Sequence, residues 1–477
     1  MEHKLWLSWL LITVFLVQRA QTVCIEEERK ALLAIKASLL NSYDIEADNV
    51  LPTWVNYGEC CDWERVKCNT TNGRVTTLFL NNLKGNLDDD MTFTIEDPTV
   101  KLWPLNVSVF LPFEDLRTLN LSWNYLENEI LNKGASTKLL RYFISSLLEL
   151  ERLSSLKKLE ILDFSSNFHI DNDILPSLTT LASLRILDLS YTSLNGYFPA
   201  NGTFSVFTFL LFLSYHAPVA YLKDIYTLFT YIPEFAALEN LERMDLSHCN
   251  FSDTFKLQGL EKAFILDKLE SLNLRNNRFN ESVISSLKFL PSLKHLDLGG
   301  NGLSGSFPPH EFAALENLER MDLSHCNFSD TFKLQGLEKA FILDKLESLN
   351  LRNNRFNESV ISSLKFLPSL KHLDLGGNSL SGSFPPHDIA YLTNLEMLDL
   401  SGNLWFNTSN QDCKSLTRLK RLKSISLRES NFNKNIISCL SALPSLNTLN
   451  LRGSHSLAGS FPFQGMCTYM ILIYKKL

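Results

Sequence analysis

The sequence predicts an α/β-type solenoid, a curved and twisted right-handed superhelix whose stacked coils form a parallel β-sheet on the concave side. Three observations support this fold class. A short pattern of leucines recurs along most of the chain, its recurrences lie 24 to 28 residues apart from Met244 onward, and a small polar residue follows most of the leucine pairs. A unit of this length can bury its apolar side only against a neighbouring unit, so stacking is the expected arrangement.

The repeated pattern is clearest from Leu181 to Pro199, where the residues follow L-x-x-L-x-x-L-x-L-x-x-(N)-x-L-x-G-x-x-P. Its first strand leucine, or an equivalent, recurs thirteen times, at Leu78, Leu119, Leu162, Leu187, Met244, Leu272, Leu296, Met321, Leu349, Leu373, Leu398, Ile425 and Leu449. This pattern and this spacing are those of leucine-rich repeats. Thirteen strands stacked about 4.8 Å apart would make a sheet roughly 60 Å long.

Each position of the repeat has an expected environment. Both leucines of the L-x-L strand should face the interior, because side chains alternate along a strand. Five residues after the first leucine, polar side chains should turn inward and bond the backbone of neighbouring coils; they are Asn124, Asn167, Asn277, Asn301, Asn354, Asn378 and Asn403. Cys249 and Cys326 occupy the same position, and we interpret them as buried structural thiols and not as reactive ones.

The N-terminus predicts export. Positive charge within Met1–Lys4 precedes the apolar run Leu5–Val17, so residues 1–22 are interpreted as a cleaved secretory signal, with a short membrane anchor as the alternative. An exported chain can be glycosylated at Asn-x-Ser/Thr, and this motif occurs at Asn69, Asn106, Asn120, Asn201, Asn250, Asn280, Asn327, Asn357 and Asn407. The formal net charge of −7 offers no basic footprint, so nucleic acid is not an expected partner.

Residues 23–73 carry a second motif. It consists of Cys24-Ile-Glu-Glu-Glu-Arg-Lys-Ala-Leu-Leu-Ala-Ile-Lys, of Trp54, and of Cys60-Cys-Asp-Trp-Glu-Arg-Val-Lys-Cys68. This motif resembles the plant-type N-terminal cap of leucine-rich-repeat receptors. The resemblance implies disulfides Cys24–Cys60 and Cys61–Cys68, which would cover the apolar end of the first coil. The pairing of Cys413, Cys439 and Cys467 stays open.

The repeats resemble those of plant receptor-like proteins, which have an ectodomain, one transmembrane helix and no kinase. The matching segments are Leu303–Pro308, Leu380–Pro385 and Leu457–Pro462, together with an irregular insertion at 86–113. We divide the chain into repeat blocks 74–199 and 234–465. The resemblance implies a place at the outer face of the plasma membrane if a full-length form is anchored, or secretion otherwise, and signalling with a kinase-bearing co-receptor.

Three segments depart from this family. Residues 200–233 lack the repeat and are interpreted as translated intron or a mis-joined exon, with a loop-out domain for a ligand or co-receptor as the alternative. Residues 234–310 recur as 311–387 with only Gly302/Ser379 different, which indicates a recent duplication or an assembly error. Residues 466–477 form a non-repeat tail, without a cysteine cap or an apolar span of about twenty residues. We interpret the chain as truncated relative to an anchored receptor.

The sequence contains no H-E-x-x-H, G-x-S-x-G, P-loop or paired Cys-x-x-Cys motif, so we expect no enzyme, no cofactor and no metal site. Gly300–Gly305 matches G-x-G-x-x-G, but Ser-Phe-Pro-Pro follows where a dinucleotide site needs a helix, so this segment is interpreted as a turn. Acidic residues follow many of the strand leucines, and we interpret them as repeat consensus on a solvated sheet; they are Asp163, Asp188, Asp245, Asp297, Asp322, Asp374 and Asp399.

The expected ligand site is the concave face, at positions three and four after the first strand leucine. Large aromatic, histidine and arginine side chains stand there: Trp123, Tyr191, His248, Arg275, His325, Arg352, Arg428 and Arg452. The arginines can pair bidentately with the acidic groups of a peptide or an oligogalacturonide. The sequence therefore predicts a receptor-like protein that senses an extracellular peptide, oligosaccharide or protein. The alternatives are a secreted polygalacturonase-inhibitor-like protein and a non-functional truncated gene copy.

Overall fold

The computed structural model describes most of the repeat array and the cap. The described residues are 24–43, 50–83, 102–104, 107–127, 155–178, 180–196, 238–252, 266–308, 312, 314–329, 343–382, 384–404, 413–431, 435–454 and 471–473. The expected signal segment, the interruption at 200–233, Cys467 and the sequons at Asn106, Asn201 and Asn407 lie outside these residues. The chain divides into two compact units, Met1–Ser193 (unit 1) and Leu194–Leu477 (unit 2).

Unit 1 contains the cap helix and the first strands. Its helices are α1 (Glu26–Tyr43) and α2 (Leu175–Leu178), and its strands are β1 (Val66–Cys68), β2 (Val75–Phe79), β3 (Trp103–Pro104), β4 (Thr118–Asn120), β5 (Leu126–Glu127), β6 (Ile161–Asp163) and β7 (Ile186–Asp188). Strand β1 pairs antiparallel with β2, and β2, β4, β6 and β7 follow in parallel register. A separate parallel pair joins β3 to β5.

Each described coil of unit 2 contributes one short strand to the main sheet, and some coils carry a second one. Its strands are β8 (Asn195–Gly196), β9 (Arg243–Asp245), β10 (Asn250–Phe251), β11 (Ser271–Asn273), β12 (His295–Asp297), β13 (Ser304–Gly305), β14 (Arg320–Asp322), β15 (Asn327–Phe328), β16 (Ser348–Asn350), β17 (His372–Asp374), β18 (Met397–Asp399), β19 (Ser424–Ser426), β20 (Thr448–Asn450) and β21 (Ile471–Ile473). Its helices are α3 (Ser282–Leu287), α4 (Ser359–Leu364), α5 (Pro386–Ile389) and α6 (Asn435–Leu440).

The sheet of unit 2 is parallel. Its strand order in the described residues is β9-β11-β12-β14-β16-β17-β18-β19-β20-β21. Two short parallel pairs, β8 with β10 and β13 with β15, lie outside this sheet. The leucine-rich-repeat fold class is therefore confirmed, and all thirteen leucine positions of the pattern fall within strands of the parallel ladders. Strand β21 was not foreseen, because Ile471–Ile473 lies in the expected non-repeat tail.

The core consists of leucines that the strand alternation turns inward. Within β12, for example, Leu296 is buried while His295 and Asp297 are partly exposed, and Leu298 is again fully buried. The same alternation recurs in the strands on either side, so that each coil buries its leucines against those of its neighbours. One fully buried leucine side chain contributes about 1.5–3 kcal/mol. Adding further coils extends this core along the array, because each coil contacts its neighbours only.

The inward asparagines join successive coils as predicted. Asn277 donates from Nδ2 to the carbonyl oxygens of Leu246 (2.8 Å) and Leu274 (3.0 Å), and its Oδ1 accepts the N–H of Phe251 at 3.1 Å. Asn301 repeats this arrangement one coil later, on Leu274, Leu298 and Phe279. These side chains satisfy backbone groups at the turn that follows each strand.

The cap covers the first coil of unit 1. The structure joins Cys24 to Cys60 and Cys61 to Cys68, the pairs that the family resemblance implies. Helix α1 places Glu28 in the interior, where its Oε2 accepts the N–H of Val75 at 2.7 Å. Burial raises the pKa of this carboxyl, although the Arg74 guanidinium lies 3.6 Å from Oε1.

Part of the irregular insertion packs against the cap. Trp103 is buried, and its Nε1 donates to the Ser38 hydroxyl of α1 at 3.0 Å. Phe110 and Phe113 are also buried, with ring centroids 6.4 Å apart. The described end of the insertion therefore belongs to the core of unit 1.

A third disulfide, which the sequence left open, joins Cys413 to Cys439. Cys413 begins a 3-10 helix that ends at Arg418, and Cys439 lies in α6. The bond links the segment before β19 to the segment before β20. Two neighbouring coils of unit 2 are thus joined covalently as well as by their ladder.

Candidate ligand-binding face

Each unit presents one side of its parallel sheet to solvent, and we call this side the open face. It carries the residues that flank each buried strand leucine and the turn that follows the strand. The expected ligand-binding residues all lie in that turn. The open face of each unit is described by itself.

The fourth residue after each strand leucine has a left-handed backbone in all thirteen coils, with φ between 48° and 72°. We call it the turn position. In unit 1 it is Asn82, Trp123, Ser166 and Tyr191, and in unit 2 it is His248, Asn276, Gly300, His325, Asn353, Gly377, Gly402, Glu429 and Gly453. Glycine and asparagine adopt this conformation readily, but a bulky side chain there is an outlier that costs of order 1–3 kcal/mol.

Trp123 and Tyr191 are the large aromatic residues at this position. Their side chains are 47% and 39% exposed, and their φ angles are 60° and 54°. Strand β6 lies between their two coils and contributes Ser166 to the same register. Two strand spacings separate the aromatic positions by about 10 Å. Unit 1 therefore presents two exposed rings on either side of a small residue.

His248 and His325 take the turn position in unit 2 and contact the next coil. Asn276 Nδ2 lies 2.9 Å from His248 Nε2, and Asn353 Nδ2 lies 3.1 Å from His325 Nε2. Burial, and then the neighbouring Arg275, lower the pKa of His248. The duplicated segments thus build the same contact twice, at the two places where the sequence predicted ligand-binding histidines.

Arg275 and Arg352 form ion pairs within the open face. Arg275 Nη1 lies 3.5 Å from Asp297 Oδ1 and 3.6 Å from Asp322 Oδ2. Arg352 Nη1 lies at the same two distances from Asp374 and Asp399. Each guanidinium therefore bridges a pair of carboxylates contributed by successive coils. The sequence did not indicate this contact, because the partners lie 22 to 47 residues away along the chain.

Paired glycines make room for these arginines. A Cβ built on Gly299 would overlap the guanidinium of Arg275, and one built on Gly300 would overlap the amide oxygen of Asn276. Gly376 and Gly377 stand in the same relation to Arg352 and its neighbour. An Arg-Asn pair in one coil followed by Gly-Gly at the same register of the next coil is the sequence signal that would have revealed this packing.

The aspartates that follow the strand leucines form structural hydrogen bonds, beyond the solvated role expected from the sequence. Asp297 accepts the N–H of Gly299 at 2.8 Å, and Asp163 and Asp188 accept the N–H of the residue two places on in the same way. Burial first, and then the charge of Asp322, raise the pKa of Asp297 to about 6. Burial also raises the pKa of Asp374.

Arg428 and Arg452 lie in adjacent coils, since β19 pairs with β20 in register. Both side chains are exposed. Arg428 donates to the carboxylate of Glu429, its neighbour in the chain, at 2.7 Å. No side-chain partner of Arg452 is found among the described residues. The four predicted arginines therefore fall into two kinds: Arg275 and Arg352 are bridged across coils, whereas Arg428 and Arg452 stand at the surface.

The described sequons differ in their surroundings. Asn250 and Asn327 are exposed in β10 and β15, and Asn280 and Asn357 precede α3 and α4. Asn69 accepts hydrogen bonds from Thr71, while Asn120 donates from Nδ2 to Asp163 Oδ2 at 2.7 Å. The amide of Asn120 is thus already engaged within the open face of unit 1.

Two further properties concern metals and membranes. Within the described ranges, three cysteine sulfurs lie within 4.8 Å of one another, on Cys24, Cys60 and Cys61. All three belong to disulfides and supply no thiolate ligand.

None of the helices in the described part of the chain is both long and apolar enough to cross a membrane.

Two family models match the chain. The leucine rich repeat model matches residues 267–328 and 344–404, and the leucine rich repeat N-terminal domain model matches residues 25–69. These matches agree with the parallel ladder of unit 2 and with the disulfide-bonded cap of unit 1. The chain is a leucine-rich-repeat protein with a plant-type N-terminal cap.

Within that class, its curated relatives are plant receptor-like proteins. Receptor-like protein 1 of Arabidopsis thaliana is 30% identical over 92% of this chain and 42% of its own length. Receptor-like protein 14 is 32% identical over 87% of this chain and 41% of its own length, and receptor like protein 21 is 33% identical over 59% and 23%. The chain spans less than half the length of these relatives.

Solved structures share the fold. An internalin from Listeria monocytogenes aligns over 77% of this chain and 83% of its own, with a TM-score of 0.52 and 19% identity. The complex of PEPR1 with AtPEP1 aligns over 90% of this chain and 52% of that one, with a TM-score of 0.51 and 21% identity. At these identities the likeness concerns the fold alone.

Proposed function

We propose that the protein is an extracellular receptor-like protein that binds a ligand on the open face of unit 1, with Trp123 and Tyr191 as the main contacts. The ligand class is a peptide, a cell-wall fragment or a microbial product. Arg428 and Arg452 offer additional cationic contacts on the open face of unit 2. Arg275 and Arg352 have a supporting role in this proposal, because their guanidinium groups already bridge carboxylates.

The observation that carries this proposal is the backbone conformation of the two aromatic residues. A tryptophan and a tyrosine at a left-handed position destabilise the folded chain relative to glycine or asparagine. The two residues remain 47% and 39% exposed, so a substantial part of each ring is open to a ligand. Exposed aromatic side chains are frequent anchors in binding sites. Glycine at these two positions would give a more stable folded chain. We therefore expect the aromatic residues to have been kept by selection for their contact with a ligand.

The test compares the full chain with a Trp123→Gly, Tyr191→Gly double variant. Both proteins are immobilised and exposed to low-molecular-mass fractions of plant extracellular fluid and of microbial culture filtrate, and mass spectrometry identifies the retained compounds. Ser166→Gly is the matched control, because it changes the same turn position without removing a ring. A compound retained by wild type and by Ser166→Gly, but lost from the double variant, supports the proposal.

Thermal unfolding of the same variants separates binding from folding. The double variant should be at least as stable as wild type, because glycine relieves the left-handed strain. Equal retention of every compound by the wild type and a well-folded double variant would remove unit 1 as the ligand site.

We further propose that signalling uses a kinase-bearing partner and that the protein itself has no catalytic activity. The names of the curated relatives support the receptor role. Inhibition of a fungal polygalacturonase by the purified chain, at concentrations near that of the enzyme, would instead favour the secreted-inhibitor alternative.

A further inference from the structure

The segment before β19 is unusually basic. Between Cys413 and Arg428 the chain contains no acidic residue, although its formal net charge is −7. Five cations lie in ten residues of this segment, and we call them the basic patch: Lys414, Arg418, Lys420, Arg421 and Lys423.

All five cationic side chains are exposed. The leucines between them point the other way, since Leu416, Leu419 and Leu422 are buried in the core of unit 2. The 3-10 helix Cys413–Arg418 advances about 2 Å per residue, so its charges lie close together. The segment therefore has an apolar inner side, formed by the leucines, and a positively charged outer side, formed by the basic patch.

The backbone that holds the basic patch is well fixed. The disulfide from Cys413 joins its start to α6, and the Ser445 hydroxyl of the next coil donates to the carbonyl oxygen of Lys420 at 2.6 Å. The Arg418 guanidinium lies 5.3 Å from the ring centroid of Tyr391, which positions it by a cation–π contact. A ligand would therefore meet a preformed row of charges.

The corresponding segments of other coils in unit 2 hold fewer cations, and some of these are paired. Before β12 and before β17, Lys294 and Lys371 are paired with Glu270 and Glu347 of the preceding coils, at 2.7 Å and 2.6 Å. Within the basic patch, Lys423 forms such a pair, with Glu396 at 2.8 Å. The basic patch therefore brings together four exposed cations, on residues 414, 418, 420 and 421, for which no ion pair is found in the described part of the chain.

The chemistry of the basic patch selects among anionic partners. Lysine is depleted from protein–protein interfaces, which depend on buried aromatic and apolar anchors, and the leucines of this segment are not available for such a role. Runs of lysine and arginine are typical of surfaces that bind nucleic acid or acidic polysaccharide. The secretory signal expected at residues 1–22 favours the polysaccharide.

We propose that the basic patch binds a linear polysaccharide bearing carboxylates, through charge and hydrogen bonds to its uronate groups. This site lies in the segment before the strand and contains none of the residues assigned to ligand recognition on the open face. It goes beyond the proposed receptor function, and either proposal can fail without the other.

The test measures affinity for size-fractionated oligomers of polygalacturonic acid by isothermal titration calorimetry at two salt concentrations. The patch variant carries Lys414→Gln, Arg418→Gln, Lys420→Gln and Arg421→Gln, and keeps Lys423 because that residue forms the ion pair with Glu396. We expect wild-type affinity to fall with salt, because binding to a linear polyanion releases its counterions. The patch variant should bind about tenfold more weakly or worse, because four of its cationic contacts are lost.

The matched control removes four exposed cations from the equivalent segments of other coils, with Lys268→Gln, Lys288→Gln, Lys345→Gln and Lys365→Gln. It has the same change in net charge, so it should retain affinity to within about threefold, because distant charges are screened. Circular dichroism verifies that both variants are folded. Equal losses in the two variants, or no loss in the patch variant, would overturn the proposal.

Two further ligands identify the chemistry. Methyl-esterified oligomers keep the sugar chain but lack the carboxylates, and they should not bind. Poly-L-glutamate of matched charge number represents an acidic peptide and should bind more weakly than polygalacturonate. Equal or tighter binding of polyglutamate would show that the patch recognises an acidic protein segment, and the polysaccharide assignment would then be wrong.

Discussion

Cys249 and Cys326 stand where most coils carry an inward asparagine, and both are buried thiols that are not part of a disulfide. Burial raises the pKa of Cys326 to about 11. Its sulfur lies 3.5 Å from the carbonyl oxygen of Leu298, whereas Asn301 donates two stronger hydrogen bonds from the equivalent place. The residue at this position therefore determines how firmly two coils are joined.

We predict that Cys326→Asn raises the free energy of unfolding by about 1 kcal/mol, because the amide restores hydrogen bonds that the thiol makes weakly. Urea unfolding followed by circular dichroism measures this change.

In the wild-type protein, Cys326 should react with an alkylating reagent only on unfolding, since a neutral buried thiol is a poor nucleophile. Rapid labelling of native protein at pH 7 would contradict the structural interpretation of this thiol.

The raised pKa of Asp297 predicts a pH-dependent stability. Its carboxyl has a pKa of about 6 in the folded chain against an ordinary value of 3.8, so the folded state holds the proton more tightly than the unfolded state. This contribution is fully present below about pH 4 and is lost as the pH rises through 6. We expect Asp297→Asn to raise the melting temperature at pH 7 and to leave it nearly unchanged at pH 4.

Thermal unfolding at a series of pH values measures this effect. Asp374→Asn is the matched comparison from the duplicated segment and should shift stability in the same direction, because burial also raises the pKa of that carboxyl. A variant that gains stability at pH 4 but not at pH 7 would contradict the assignment.

At the scale of the coil, the turn after each strand depends on residues that tolerate a left-handed backbone. Gly300 has φ of 67°, and an added Cβ would also meet the side chain of Asn276. Gly302 lies two residues further on, and its counterpart in the duplicated segment is Ser379. The two glycines of one turn therefore have different tolerance for a side chain.

We predict that Gly300→Ala lowers the free energy of unfolding by about 1–2 kcal/mol, the cost of a left-handed non-glycine residue. Gly302→Ser should change it by less than about 0.5 kcal/mol, as for surface substitutions in general. Chemical denaturation of both variants measures the difference. Equal effects of the two substitutions would show that backbone conformation does not govern this turn.

The coil is also the scale at which the sequence was most informative. The strand at Leu272 and the inward hydrogen bonds of Asn277 could both be predicted, because they depend on the local alternation and spacing of residues. The bridge from Arg275 to Asp297 and Asp322 could not be foreseen, since it needs the stagger between three coils. The left-handed turn position was equally hidden, because Trp123 and Tyr191 are residues that ordinarily avoid it.

For the whole molecule, the duplication makes the array modular. Residues 234–310 and 311–387 each contribute three coils, and corresponding ion pairs have equal lengths in both. Removing residues 311–387 would join His310 to Asp388. The junction would have the sequence Pro-His-Asp, which is the same as that of residues 386–388 in the present chain. Strand β12 would then meet β18 as β17 does, so every coil would keep a partner of the kind it has now.

We predict that deletion of residues 311–387 leaves a folded protein whose urea m-value falls by about one sixth, in proportion to the surface lost. Deletion of residues 323–387 is the control; it ends inside a coil and should expose core leucines and aggregate. Size-exclusion chromatography and urea unfolding distinguish the two. Similar behaviour of both deletions would mean that register between coils is unimportant.

The disulfide between Cys413 and Cys439 has a consequence for how this array opens. In a stacked protein, coils can separate one interface at a time, and each local opening exposes leucines to water. A covalent bond across one interface prevents the basic coil and its successor from separating on their own. Fraying that reaches this pair must therefore release both coils together or stop there, so the bond acts as a barrier to progressive unzipping.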